Sequence, residues 1–153
     1  FALPKLLSSS SFEDYTVRDQ LVSRLRMTQL QNMNADPSDN VSANACYWTV
    51  VQTSAAGGCF YSVETARTAN GGKNCALPSA SISCDANAPE HLNDPYALVD
   101  FSTKVSITSG AYLFNYHGIE QVGCAGTFPC DISISSGNNL TIRIEDQGYI
   151  YVP

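Results

Sequence analysis

The feature that most constrains this chain is a change of period at Pro37. The 22 residues of the stretch 12–33 hold no glycine or proline and are rich in Leu, Arg, Gln and Met, which lose little on entering a helix. Past Pro37, apolar residues alternate with polar ones, the spacing of a strand with one buried face. A serine among Ser8 to Ser11 can cap the helix, with Glu13 and Asp14 complementing its dipole, and Asn34, Asp36 and Pro37 stop it. At 100° per residue, Phe12, Tyr15, Leu21, Val22, Leu25, Leu30 and Met33 share half of the wheel, and Arg18, Arg26 and Gln29 interrupt it. The expectation is a helix gripped on one side without being fully buried.

Strands are expected at 47–52 and 60–65 around a Gly-rich turn. The clearest alternation is at 97–107, where Val99, Phe101, Val105 and Ile107 interleave with Asp100, Ser102, Lys104 and Ser106. A turn through Gly110 leads to Tyr112, Phe114 and Tyr116. Ile132 with Ile134, then Leu140, Ile142 and Ile144, mark two more strands, and a turn at 146–148 leads into 149–152. Residues 66–95 lack periodicity and carry Gly71, Gly72, Pro78, Pro89 and Pro95, so they read as a long exposed loop. Hairpin-length connections imply antiparallel pairing. The expected class is α+β: a long N-terminal helix over 1–36, packed on an antiparallel sheet of about five to seven strands over 37–153, together one disulfide-stabilised domain of ordinary size.

Six cysteines stand at Cys46, Cys59, Cys75, Cys84, Cys124 and Cys130, an even number with no C-x-x-C spacing, beside only two histidines. That favours three disulfides made in an oxidising compartment over a zinc site. Loop closure costs least between near neighbours, so the expected pairs are Cys46–Cys59, Cys75–Cys84 and Cys124–Cys130. Charged residues make up 14% of the chain and the formal net charge is −6, which leaves no basic patch for nucleic acid.

The motifs of enzymes are absent: no G-x-S-x-G, no H-E-x-x-H, no P-loop and no G-x-G-x-x-G. Cys124 lies seven residues from His117, but a disulfide accounts for it better than a thiolate–base pair. Glu13 with Asp14, and Glu145 with Asp146, are sequence neighbours whose side chains diverge, and they read as solvated charges. Glu90, Asp94 and Asp100 border the long loop without the spacing of a calcium loop. No catalytic residue, cofactor or metal is expected.

The opening "FALPKLLSSSSFEDYTVRDQLVSRLRMTQLQNMNADP" resembles the part of a type IV pilin just after its apolar N-terminal segment. The tail resembles the minor pilins and pseudopilins of the GspH/FimT type. Phe114 with Gly118 fills their F-x-x-x-G element, and Gly148 with 149–152 fills the closing hairpin. Within that group, "YTVRDQLVSRLR", "CYWTVV" and "IRIEDQGYI" are most similar to the minor pilins of the mannose-sensitive haemagglutinin (MSHA) pilus. The resemblance implies a type IV pilin-like fold whose membrane-spanning half precedes Phe1, roughly 18 to 28 residues of it given a span of about 20. It implies that Phe1, Leu3, Pro4, Leu6 and Leu7 pack in a filament. The implied partners are other pilin subunits and the inner membrane, with surface glycan as a third. The implied location is the inner membrane before assembly and an extracellular pilus afterwards. Two other readings stand beside it: a minor pseudopilin of a type II secretion system, and a glycan-binding adhesin using Tyr47, Trp48, Tyr96 and Tyr112.

Overall fold

The computed structural model describes residues 10–34, 46–54, 57–66, 75–78, 84, 99–101, 105–115, 117–124, 126–135 and 138–153. Its first element is α1, Ser10–Met33. The strands follow as β1 (Cys46–Ser54), β2 (Gly57–Thr65), β3 (Val99–Phe101), β4 (Ser106–Ile107), β5 (Gly110–Phe114), β6 (Glu120–Val122), β7 (Cys130–Ser135), β8 (Asn139–Ile144) and β9 (Ile150–Tyr151). One N-terminal helix on antiparallel strands is therefore the architecture. The strands form two sheets where one was expected, ordered β3-β2-β1-β5-β6 and β4-β7-β8-β9.

The second sheet explains why the clearest alternation is not one strand. Val99–Phe101 pairs with β2 in the first sheet, whereas Ser106–Ile107 pairs with β7 in the second. The chain changes sheets between them and returns at Gly110, where β5 joins β1. Periodicity reports which residues are buried, not which partner strand they meet. Val105 and Ile107 are buried on either side of exposed Ser106, as the alternation requires. The side chain of Phe101 lies outside the described residues.

Both sheets share a core with the helix. Val17, Leu21, Val22 and Leu25 of α1 meet Val51, Phe60, Tyr112 and Phe114 of the first sheet and Ile132, Ile134, Ile142, Ile144 and Ile150 of the second. The buried stripe of the helix runs Asp14, Val17, Leu21, Leu25, Thr28, Asn32, in steps of three and four. It is not the apolar half-wheel read from the sequence: Tyr15, Leu30 and Met33 are exposed.

Polar residues turn the helix this way because β1 satisfies them. Asn32 Nδ2 donates to Tyr47 O at 2.8 Å, and Tyr47 N donates to Asn32 Oδ1 at 2.9 Å, so one side chain completes the strand's backbone. The hydroxyls of Thr28 and Thr49 lie 2.8 Å apart, and both residues are wholly buried. A buried polar group that keeps its hydrogen bonds carries little desolvation penalty, so Thr28 and Asn32 go inside while Tyr15, Leu30 and Met33 stay out.

Candidate functional site

All six cysteines are bridged, but two of the expected pairs are wrong. Cys46 pairs with Cys75 and Cys59 with Cys84, while Cys124 pairs with Cys130 as expected. Cys46 and Cys59 cannot be partners because they stand on adjacent strands out of register: Cys46 faces Thr65, and Cys59 faces Gln52. Both instead project to the face of the first sheet away from α1. There Trp48, Val50, Tyr61 and Leu113 form a second apolar cluster, with Cys75 and Cys84 packed against it. Strand β1 is thus apolar on both faces. The expected exposed loop 66–95 is half-buried at Cys75 and Cys84, which pack on that outer face, while Leu77 points to solvent. Neighbour-based pairing failed because it prices loop closure alone and ignores a sheet face that needs a cover.

The residues singled out for other chemistry disperse. Cys124 is in a disulfide, which removes the thiolate beside His117. Trp48 and Tyr112 are buried and Tyr47 is half-buried, so none of the three offers an open ring to a sugar. Tyr96, Glu90, Asp94 and the side chain of Asp100 lie outside the described residues. So do Phe1, Leu3, Pro4, Leu6 and Leu7. Among the described residues, no three of His, Cys, Asp and Glu gather where a metal ion would fit.

Two acids depart from the solvated reading or escaped it. Asp14 is wholly buried, and neither carboxylate oxygen has a hydrogen-bond partner among the described residues. Glu120 stands on β6, a strand with no clear signal in the sequence. It is buried, and its Oε1 accepts the backbone N–H of Cys124 at 3.0 Å, capping the start of the small disulfide loop. Burial pushes the Glu120 carboxyl above its ordinary 4.5, against the Cys124 hydrogen bond, which lowers it. Burial also raises the Tyr112 phenol, and the nearby charge of Glu120 adds to that.

A carboxyl whose pKa is higher in the fold is costlier to ionise there than in the unfolded chain. It is neutral in both states below 4.5, and the penalty grows as pH rises from 4.5 through the folded value. Glu120→Gln keeps the oxygen that receives the Cys124 N–H and removes the charge. It should therefore raise the urea midpoint at pH 7. The gain should vanish near pH 4. A gain that grew on acidification would reverse the assignment.

The described residues that bring most of the fold together meet at Gln29. Its Nε2 donates to Gly118 O at 2.8 Å and to Gly148 O at 2.7 Å. One helical amide thereby ties the turn between β5 and β6 to the turn between β8 and β9. Arg26 Nη2 donates to Ile150 O at 2.7 Å one turn earlier. Gly118 and Gly148, at φ 81° and 95°, adopt a backbone that glycine alone enters freely. Gln29 and Arg26 looked like interruptions of an apolar face, and only the position of the two turns shows why they are there.

The geometry defines an α+β protein: one long helix gripped by two antiparallel sheets and closed by three disulfides. The chain matches no family model, no curated protein and no solved structure.

Proposed function

We propose that this chain is a minor pilin, a structural and assembly subunit of a type IV pilus of the MSHA kind, resembling the minor pilin MshC. On this reading it is not an enzyme. It waits in the inner membrane through a helical segment preceding Phe1, then enters an extracellular filament that serves surface attachment. The observation that carries the reading is the meeting of Gly118 and Gly148 on Gln29. The two glycines on which the GspH/FimT resemblance rests are 30 residues apart in sequence, and each gives its carbonyl to the same helical side chain. A family ending whose glycines serve helix docking would show this. The long helix leading from an apolar N-terminal stretch supports it as well. The minor pseudopilin of a type II secretion system would share all of these features, and the genes beside this one separate the two systems. The glycan-binding reading has Trp48 and Tyr112 in the core against it.

The test is made on the precursor in its own host. Leu3→Glu with Leu6→Glu should leave the head folded and abolish pili on the cell surface, because the filament core offers buried charges no partner. Normal piliation by the double variant, seen by electron microscopy, would remove the filament role assigned to this end.

A further inference from the structure

A peroxide reacts with a protein first at thiols and thioethers. In this chain all six cysteines are bridged, so no thiol competes for it. The thioethers are two, Met27 and Met33. Both lie on α1, and they are 41% and 47% exposed. Oxidation of such a side chain to the sulfoxide turns a flexible apolar group into a polar one.

The two methionines differ in what they touch. A carbon added at Gly118 would stand 2.9 Å from Met33 Sδ, 3.5 Å from its Cγ and 3.6 Å from Gln29 Nε2. Met33 therefore fills the space that Gly118 leaves beside its backbone, next to the amide that ties the two turns together. That amide has two N–H groups. Both are committed, to Gly118 O at 2.8 Å and to Gly148 O at 2.7 Å. The N–H of Gly118 is committed too, to Asn115 O at 2.9 Å. The atoms nearest the side-chain positions of Gly118 and Gly148 belong to Met33, Gln29 and Gly118, and none belongs to Met27.

We propose that Met33 is a peroxide-sensitive site, and that its oxidation to the sulfoxide loosens the two turns held by Gln29. The sulfur lone pair attacks one oxygen of the peroxide. An S–O bond forms and the O–O bond breaks, and the second oxygen takes the proton of the first and leaves as water. The sulfur gives up two electrons and the peroxide accepts them. The new oxygen is an acceptor placed beside Gly118, where every neighbouring N–H named above already has a partner. It takes an N–H of Gln29 from one of the two glycine carbonyls, or the side chain turns out to water and uncovers Gly118. Both outcomes weaken the same contact. Reduction of the sulfoxide restores the thioether and the contact with it. The inference goes beyond the pilus reading and does not rest on it.

Hydrogen peroxide on two variants of the purified protein tests it. Met27→Leu keeps only the sulfur of Met33, and Met33→Leu keeps only that of Met27. Both changes fall on exposed helix positions and nearly conserve volume. Once mass spectrometry shows the remaining methionine oxidised, Met27→Leu should melt about 2–4 °C lower, the shift that one lost hydrogen bond gives a chain of this size. Its Gly118 and Gly148 amides should exchange faster, while those of Val50 and Ile142 keep their rates. Treated Met33→Leu should melt as it did before treatment. The two methionine sulfoxide reductases, one for each epimer, should return oxidised Met27→Leu to its starting melting temperature. An oxidised Met33 that leaves melting and exchange unchanged overturns the proposal. So does an equal fall in Met33→Leu, or faster exchange spread evenly over both sheets. A Met33 that stays reduced at the peroxide concentration that oxidises Met27 overturns it as well.

Discussion

Gly148→Ala should destabilise the protein by about 3–5 kcal/mol. A methyl group at this position would occupy the space of the Gly118 carbonyl oxygen, and the Gln29 amide lies 3.1 Å from the same point. Neither neighbour can move freely. Gly118 N donates to Asn115 O at 2.9 Å while its carbonyl accepts Gln29, and Gly148 N donates to Glu145 O at 2.9 Å. Separating the two turns would break hydrogen bonds worth about 1 kcal/mol each. An alanine at φ 95° adds backbone strain of about 1–2 kcal/mol. A total of about 3–5 kcal/mol is a large share of the 5–15 kcal/mol that stabilises an ordinary domain. Gly126→Ala is the matched control: it too has positive φ, at 75°, but nothing lies within 4 Å of the added carbon. It should lose only the strain, about 1 kcal/mol. Urea denaturation of both variants measures the difference. Equal losses would mean that the two turns do not press on each other, and the node at Gln29 would not organise this end of the fold.

What could be read from the sequence follows from how local each signal is. The helix was legible because propensity and stop signals both act within a few residues, and among the described residues α1 covers all of the glycine- and proline-free stretch 12–33. The strands at β1, β2, β7 and β8 were legible from alternation. The rotation of the helix was not. Thr28 and Asn32 count as solvent-facing in any hydropathy pattern, and only the backbone of β1 makes them cheap to bury. The break after Phe101 was invisible for the same kind of reason, since both halves of that stretch alternate and only pairing separates them. Strand β6 is three residues on a sheet edge, too short for any periodicity. The apolar outer face of the first sheet was present in the sequence as the near-continuous run Cys46, Trp48, Thr49, Val50, Val51. A strand buried on both faces reads this way, and that signal would have told against an exposed loop at 66–95.

The same outer face sets the second large effect. Replacing Cys59 and Cys84 by serine should destabilise the protein far more than replacing Cys124 and Cys130. The Cys59–Cys84 bridge closes a separation of 25 residues and Cys46–Cys75 one of 29, against 6 for Cys124–Cys130. Chain entropy alone puts the long bridges at about 3.5 kcal/mol each and the short one at about 2. The loops of the long pair overlap, so losing both costs less than the sum. Packing adds to the asymmetry. Cys46 and Cys59 are wholly buried, and their bridges hold Cys75 and Cys84 against Trp48, Val50, Tyr61 and Leu113. Trp48 is the single tryptophan, 1% exposed, with its indole N–H bonded to Thr65 Oγ1 at 2.9 Å. Its fluorescence therefore reports on this face alone. In the variant lacking both long bridges, Trp48 emission should shift to the red at denaturant concentrations where helix circular dichroism persists, because the core beneath α1 contains neither bridge. The variant lacking Cys124–Cys130 should lose both signals together. If Trp48 and the helix melted in step in every variant, the two apolar faces of the first sheet would be one cooperative unit, and the cover would be fixed by packing and not by its sulfurs.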